Sequence, residues 1–335
     1  MFLSGLAASV VMGTARADEK AGVTFLVVSD VHYRPGVFPH DTHEQLEKIV
    51  ARGVAAKVDF GIQLGDFQHN AARDRAFIDV WNNAPFETHH VIGNHDDDAT
   101  RPEETCAAFR LERGWYAFDR GGFRFVVLDT NWAEIDGSFI HYGKGCGFAQ
   151  WKLPKGAGMR LHPDEFPWLE EMATRSPYPC FVFSHRPLAG TDADAVRVRG
   201  ILSAANRAHP GRVLLALCGH NHCDRFVRVD GVGHWTVNSP NHCWVPLRHA
   251  GYPVEDMRRW KEVDHIVAYD GTPLCAIVRV SPSGAISVQG QTGAFWRGLS
   301  PSTLSPRLAK FGVTPSIRSF RLDPGGDACY RPFDS

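Results

Sequence analysis

Residues 23–32 read VTFLVVSDVH: an apolar, β-branched run that ends in a carboxylate and an imidazole two positions apart. Apolar residues at both alternations are what a strand covered on both faces requires, so residues 23–29 read as a buried strand. Outward from it, 42–57 sets Leu46, Ile49, Val50 and Val54 at helical spacing, with Glu44 and Glu47 near the start, where a helix dipole favours acid. An apolar run at 60–64 then begins the next strand. This strand–helix–strand unit recurs, with strands expected at 89–92, 123–129, 180–184 and 213–218 and helices at 72–81, 163–174 and 194–209. Such alternation predicts an α/β fold with crossover helices. After Gly219 the helical patterns stop. Strands are expected at 225–229, 234–238, 276–280, 285–289 and 317–322, and these are expected to supply a second sheet. Two stacked sheets with helices outside form one α/β sandwich, so residues 18–335 read as a single domain.

Composition narrows the function. Lys plus Arg number 36 and Asp plus Glu 37, a net charge of -1, which argues against the basic field of a nucleic-acid binder and against an anionic membrane surface. At 44% hydrophobic and 22% charged the chain is globular, and no run of 18 apolar residues exists to span a bilayer. Seventeen histidines raise the question of metal.

The chemistry sits where strands end. Asp30 and His32 follow the first, Gly65-Asp66 the second, Gly93-Asn94-His95-Asp96 the third, His185 the run at 180–184, and Gly219-His220-Asn221-His222 the run at 213–218. Ligands of open α/β sheets bind at that edge. The donors are carboxylate, imidazole and amide without thiolate, suited to Mn, Fe, Zn or Mg. They outnumber what one ion needs, so two divalent ions are expected, an arrangement that clamps an in-line displacement at phosphorus.

These five motifs, in this order, resemble those of the calcineurin-like metallophosphoesterases. The resemblance spans Asp30 to His222. It implies a four-layer α/β/β/α sandwich of the metallo-dependent phosphatase type. It also implies a dinuclear centre in which Asp30, His32 and His222 bind the first metal, Asp66 bridges, and Asn94, His185 and His220 bind the second. A metal-bridging hydroxide would attack phosphorus, and His95 would act as general acid. Purple acid phosphatases, a branch of the superfamily, carry a tyrosine three positions after the bridging aspartate. Here that position is His69, which argues against ferric-tyrosinate chemistry and leaves His69 and Asn70 as candidates for positioning the site. Metal identity stays among Mn, Fe and Zn.

Arg34 and Arg186 lie beside motif histidines and are candidate phosphate contacts through their guanidinium forks. Asn238 and His242, in the stretch VNSPNHCW, resemble the late loop that borders the site in exported relatives and are candidate substrate contacts. The other histidines default to structure or surface. The expected substrate is a small soluble phosphate ester, mono- or diester, with cyclic-nucleotide or phospholipid phosphodiesterase activity as the alternative. A non-catalytic metal-dependent binding module is the alternative of another class. The length after His222 is needed for the second sheet, which counts against the separate C-terminal domain of exported nucleotidases.

Three segments fall outside the pattern. Residues 1–17 hold an apolar run and a small-x-small site at Ala15 to Ala17, read as a signal peptide of Sec type or a twin-Arg type whose arginines precede Met1; a buried N-terminal helix is the alternative. Export to the periplasm or outside the cell is the expectation. The glycine-rich stretch 137–162 is either a loop over a binding site or a surface insertion, and 299–315, rich in Ser and Pro, reads as a strap or mobile stretch before the last strand. Eight cysteines form no CxxC pair, so a thiolate zinc site is not indicated, and disulfides or buried thiols are the expectation.

Overall fold

The structure, a computed structural model, describes residues 21–143 and 160–324. The elements run β1 (Val23–Val28), α1 (Thr42–Ala56), β2 (Phe60–Gln63), α2 (Arg75–Asn82), β3 (Glu87–His90), α3 (Pro102–Ala108), β4 (Tyr116–Arg120), β5 (Phe123–Val127), β6 (Trp132–Ile135) and β7 (Ser138–His141). Next come α4 (Glu165–Arg175), β8 (Cys180–Phe183), α5 (Ala193–Ala208), β9 (Val213–Cys218), β10 (Arg225–Val229), β11 (Val232–Thr236), β12 (His242–Trp244), α6 (Val254–Arg259), β13 (Ile266–Asp270), β14 (Ala276–Val280) and β15 (Ile286–Gln289). The chain finishes through β16 (Gln291–Thr292), β17 (Ala294–Phe295), α7 (Pro301–Leu304), β18 (Ser316–Ile317) and β19 (Phe320–Leu322).

Two six-stranded sheets carry the fold, one ordered β19-β15-β14-β1-β2-β3 and the other β10-β11-β9-β8-β5-β4. β1, β2 and β3 are parallel, as are β5, β8, β9 and β11. Period-two alternation sorts their side chains. Phe25 and Val27 face a shared core with Phe60, Phe125, Phe181, Phe183, Leu215 and Leu217. Leu26 and Val28 turn outward to Leu46, Ile49, Phe77 and Ile78 of α1 and α2, while Val126 and Val182 turn to Leu169 of α4 and Val198 and Leu202 of α5. Phe25 stacks on Phe60 at 5.0 Å, and both meet Phe125 edge-on at 5.8 and 4.8 Å, the offset geometries aromatic rings prefer. In α1 the expected apolar face is rotated. Leu46, Ile49 and Gly53 are buried and Val54 is exposed, because Gly53 lies against the Phe86 ring where a larger side chain has no room.

The C-terminal strands correct one expectation. They do not build the second sheet, whose centre is β5, β8 and β9; instead β14, β15 and β19 extend the first sheet, and β10 and β11 extend the second. The cause lies in β1. An apolar strand with β2 on one side needs its other edge paired, and β14 pairs it antiparallel from Val23↔Val280 to Val27↔Ala276. Nor do helices end at Gly219, since α6 and α7 follow. The expected strap at 299–315 is helical turn instead, with Pro301, Leu304 and Leu308 buried. The expected strand at 317–322 is broken in two, β18 pairing with β16 and β19 with β15, and between them Arg318 binds the Asp224 carboxylate at 2.7 Å.

Inside the 137–162 stretch, β7 forms a hairpin with β6. His141, its last residue, is pinned by Nε2 to Asp129 Oδ2 at 2.7 Å. The rest of that stretch from 144 to 159, and the expected leader at 1–17, lie outside the described residues. The six described cysteines, Cys106, Cys180, Cys218, Cys223, Cys243 and Cys275, are free thiols. Among the described residues no helix is long and apolar enough to cross a membrane.

Candidate metal centre

At the carboxyl ends of β1, β2, β3, β8 and β9 the backbone ladder runs on into the loops. Asp30 N–H donates to Gly65 O at 3.0 Å, His32 N–H to Asp66 O at 2.9 Å, and Gly219 N–H to His185 O at 3.0 Å. The first two tie loops of the first sheet and the third ties loops of the second, and His220 N–H, donating to Asp30 Oδ2 at 2.9 Å, joins the two. Five of the loop residues hold left-handed backbone: Asp30 (φ 53°), His32 (φ 49°), Asp66 (φ 52°), His220 (φ 69°) and His222 (φ 46°). Each such residue costs on the order of 1–3 kcal/mol and persists only where its surroundings over-determine it. The motif glycines supply the close approach. A Cβ on Gly93 would strike the Asp66 backbone and carboxylate, and one on Gly219 would strike Ser29 Oγ and the Asp30 carboxylate.

Two groups of ligand-type atoms result. Asp30, His32 and Asp66 form one and Asp66, His185 and His220 the other, the atoms of each lying within 4.8 Å of one another. His222 Nε2 joins the first, 3.1 Å from His32 Nε2 and 3.4 Å from Asp30 Oδ1. Asn94 Oδ1 joins the second, 3.2 Å from His185 Nε2. Asp66 stands between them, its Oδ2 3.7 Å from His32 Nε2 and 3.1 Å from His185 Nε2. Burial works to raise the Asp66 carboxyl, but the His185 and His95 imidazoles overcome it and hold Asp66 well below the usual range.

Whether these atoms suit a cation is decided by the protons on the far side of each ring. His185 Nδ1–H donates to Leu64 O at 2.8 Å and His222 Nδ1–H to His242 O at 2.9 Å. His69 must donate through Nδ1 to Asp98 Oδ2 at 3.0 Å, so its Nε2 accepts from His32 Nδ1–H, also at 3.0 Å. His32, His185 and His222 thus each turn Nε2 inward, towards one another and the Asp30 and Asp66 carboxylates. Inner nitrogens gathered around shared carboxylates, with the outer nitrogens engaged, fit a divalent ion held by imidazoles. With nitrogen about 2.1 Å from an ion, neighbouring ligand atoms stand about 3–3.5 Å apart, the spacing seen between His32 and His222.

His95 lies beside both groups, its backbone N–H donating to Asp66 Oδ1 at 2.8 Å. Its Nδ1 bonds Asp98 Oδ2 at 2.6 Å. Burial lowers the imidazole, and the Asp66 and Asp98 carboxylates more than reverse this, raising it to about 9. Asp98, which sequence reasoning passed over inside the run Asp96-Asp97-Asp98, therefore serves two histidines with one oxygen and accepts from the Tyr142 hydroxyl with the other, at 3.1 Å. Its signal was three aspartates where the motif needs one. Asp96 locks the site from below, taking the N–H groups of Phe67, Gln68 and Gly93.

The remaining candidates are placed differently. Arg34 is held by Glu262 through both guanidinium nitrogens, at 2.7 and 2.8 Å. Arg186 is half-buried, and after burial and His185 its charge helps hold His220 down at about 3. Asn238 is fully buried, and its Nδ2 donates to the carbonyls of Thr314 and Ser316. His242 is also fully buried, against His32, His222 and Phe38. Asn70 caps a local turn, its Oδ1 accepting from Arg73 N–H.

Residues 23–224 match the model of the calcineurin-like phosphoesterase family. Among solved structures, the fold is similar to that of a dimetal phosphatase from Danio rerio, at 17% identity and a TM-score of 0.52 over 80% of this chain and 95% of that one. A purple acid phosphatase from yellow lupin is 13% identical over 89% of this chain and 53% of its own, with a TM-score of 0.44. GAP50, the anchor in the inner membrane complex of Plasmodium, is 11% identical over 81% and 84%, with a TM-score of 0.47. No curated protein matches the sequence.

Proposed function

The chain belongs to the calcineurin-like phosphoesterases and is a metal-dependent phosphoester hydrolase, and from this we propose that it cleaves small soluble phosphate mono- or diesters at a pair of divalent ions that share Asp66. One observation carries the reading: Asp66 is common to both groups of ligand-type atoms. Asp30, His32 and His222 complete the first position, and Asn94, His185 and His220 the second. Oxygen and imidazole donors without thiolate suit Mn, Fe or Zn. Two such ions supply Lewis acidity at phosphorus and a water acidified towards neutrality. His95 stands beside both positions, where its imidazole would protonate the departing alkoxide, and Asp98 fixes the face the ring presents.

Purified protein stripped with chelator and reloaded with Mn(II), Fe(II) or Zn(II) is assayed with p-nitrophenyl phosphate and bis-p-nitrophenyl phosphate. Turnover is expected only after reloading. Asp66→Asn is expected to lower it at least about 100-fold and to retain fewer than two ions. No turnover with any of the three ions overturns the catalytic reading. Full activity with two ions bound in Asp66→Asn overturns the assigned site.

A further inference from the structure

We propose that His242 is a fifth protein ligand at the first metal position, beside Asp30, His32, Asp66 and His222. The argument begins with its proton. Asn241 places both amide hydrogens elsewhere, on Val31 O at 3.3 Å and Gln45 Oε1 at 3.1 Å, which turns its Oδ1 towards His242 Nδ1 at 2.6 Å. Nδ1 of His242 is therefore the donor and Nε2 carries a bare lone pair. That Nε2 is buried and has no hydrogen-bond partner, in a side chain with no exposure. An unmet acceptor at such a place costs about 1–3 kcal/mol, and proteins rarely tolerate one without a use.

The surroundings supply the use. A ring nitrogen of His242 lies within 4.8 Å of ring nitrogens of both His32 and His222. The three ring centroids stand 4.9, 4.9 and 5.5 Å apart, each pair tilted, as imidazoles converging on a common point are. His242 also repeats the arrangement of His222, Nδ1 donating to a fixed oxygen and Nε2 left for the ion. Its own carbonyl orients His222, so one residue would serve the position as ligand and as support. Three imidazoles and two carboxylates make a donor set for a borderline transition ion such as Fe, Co or Zn rather than for Mg or Ca. The second position, with one amide and two imidazoles beside the shared carboxylate, is the poorer in nitrogen.

This assignment rests on the dinuclear reading, and the test separates the two. Metal-free wild type, His242→Phe and His242→Gln are titrated with Co(II), following heat and the visible absorption of bound cobalt, and the melting temperature of each is measured with and without metal. Wild type is expected to take two equivalents. Both variants are expected to bind one of the two at least about tenfold more weakly. The cobalt spectrum of that equivalent is expected to change, and part of the metal-induced rise in melting temperature to be lost. The phenylalanine variant keeps the ring that packs on Phe38, and the glutamine variant covers the case in which the phenylalanine does not fold. Two equivalents bound by a folded variant with wild-type affinity and spectrum overturn the role of His242 while leaving the pair intact. No cobalt bound by wild type overturns the pair itself.

Discussion

Asp98 Oδ2 is the acceptor for both His69 and His95. Burial opposes its charge, and the two histidine hydrogen bonds outweigh that, holding the carboxyl down at about 2. Replacing it with Asn keeps the shape and removes the charge that orients both rings. For Asp98→Asn, kcat on p-nitrophenyl phosphate is expected to fall about 10–100-fold with little change in KM and two ions still bound. Unchanged kcat, or loss of both ions, would count against a positioning role. The ligand-type residues were legible because each follows a strand-like run and sits in a short motif with its own glycine. Asp98 was not, because its role depends on where His69 and His95 arrive, and nothing local in the sequence marks a carboxylate that serves two rings from different loops. Asn238, singled out by the stretch it lies in, donates through Nδ2 to two backbone carbonyls that the sequence does not mark.

Elements were read best where both faces are covered. β9 falls where its apolar run placed it, since a strand buried on both sides leaves an unbroken signal, and β14 does so too although Arg279 interrupts its run. The β6–β7 hairpin was missed because its side chains are mixed and its anchor is ionic. Burial lowers the His141 imidazole, and Asp129 beside it more than compensates, raising it to about 9. A histidine with a higher pKa folded than unfolded lends stability that is complete below about 6.5 and is lost as pH rises through about 9. That difference corresponds to about 3 kcal/mol at most. The melting temperature of the wild type is therefore expected to decline between pH 7 and 9.5, and that of His141→Gln to start lower and decline less. Parallel pH profiles for the two proteins would remove the hairpin anchor from this account.

At the scale of the whole molecule, one apolar cluster takes side chains from Val23 to Leu322. Composition and alternation made the α/β class legible, but not which sheet each late strand joins, because that depends on which edges remain open after the parallel strands have paired. The segment that carries the family likeness, 23–224, contains every ligand proposed for the pair except His242. It does not contain β14 or β15, nor Val278, Val280, Ile286 and Val288 of the shared core. A chain ended at residue 224 is expected to be recovered as aggregate, or to melt without a cooperative transition and to bind no second equivalent of cobalt. A soluble, cooperatively melting fragment would show that the later strands are dispensable.

The place of β14 beside β1 also sets a timetable. On the ribosome β1 is complete about 250 residues before the strand that closes its open edge, which ends at Val280. At about 5–20 residues per second, β1 waits roughly ten to fifty seconds for that partner. Through that interval the edge of β1 that β14 will cover stays unpaired, an open template for mispairing that the later strands close.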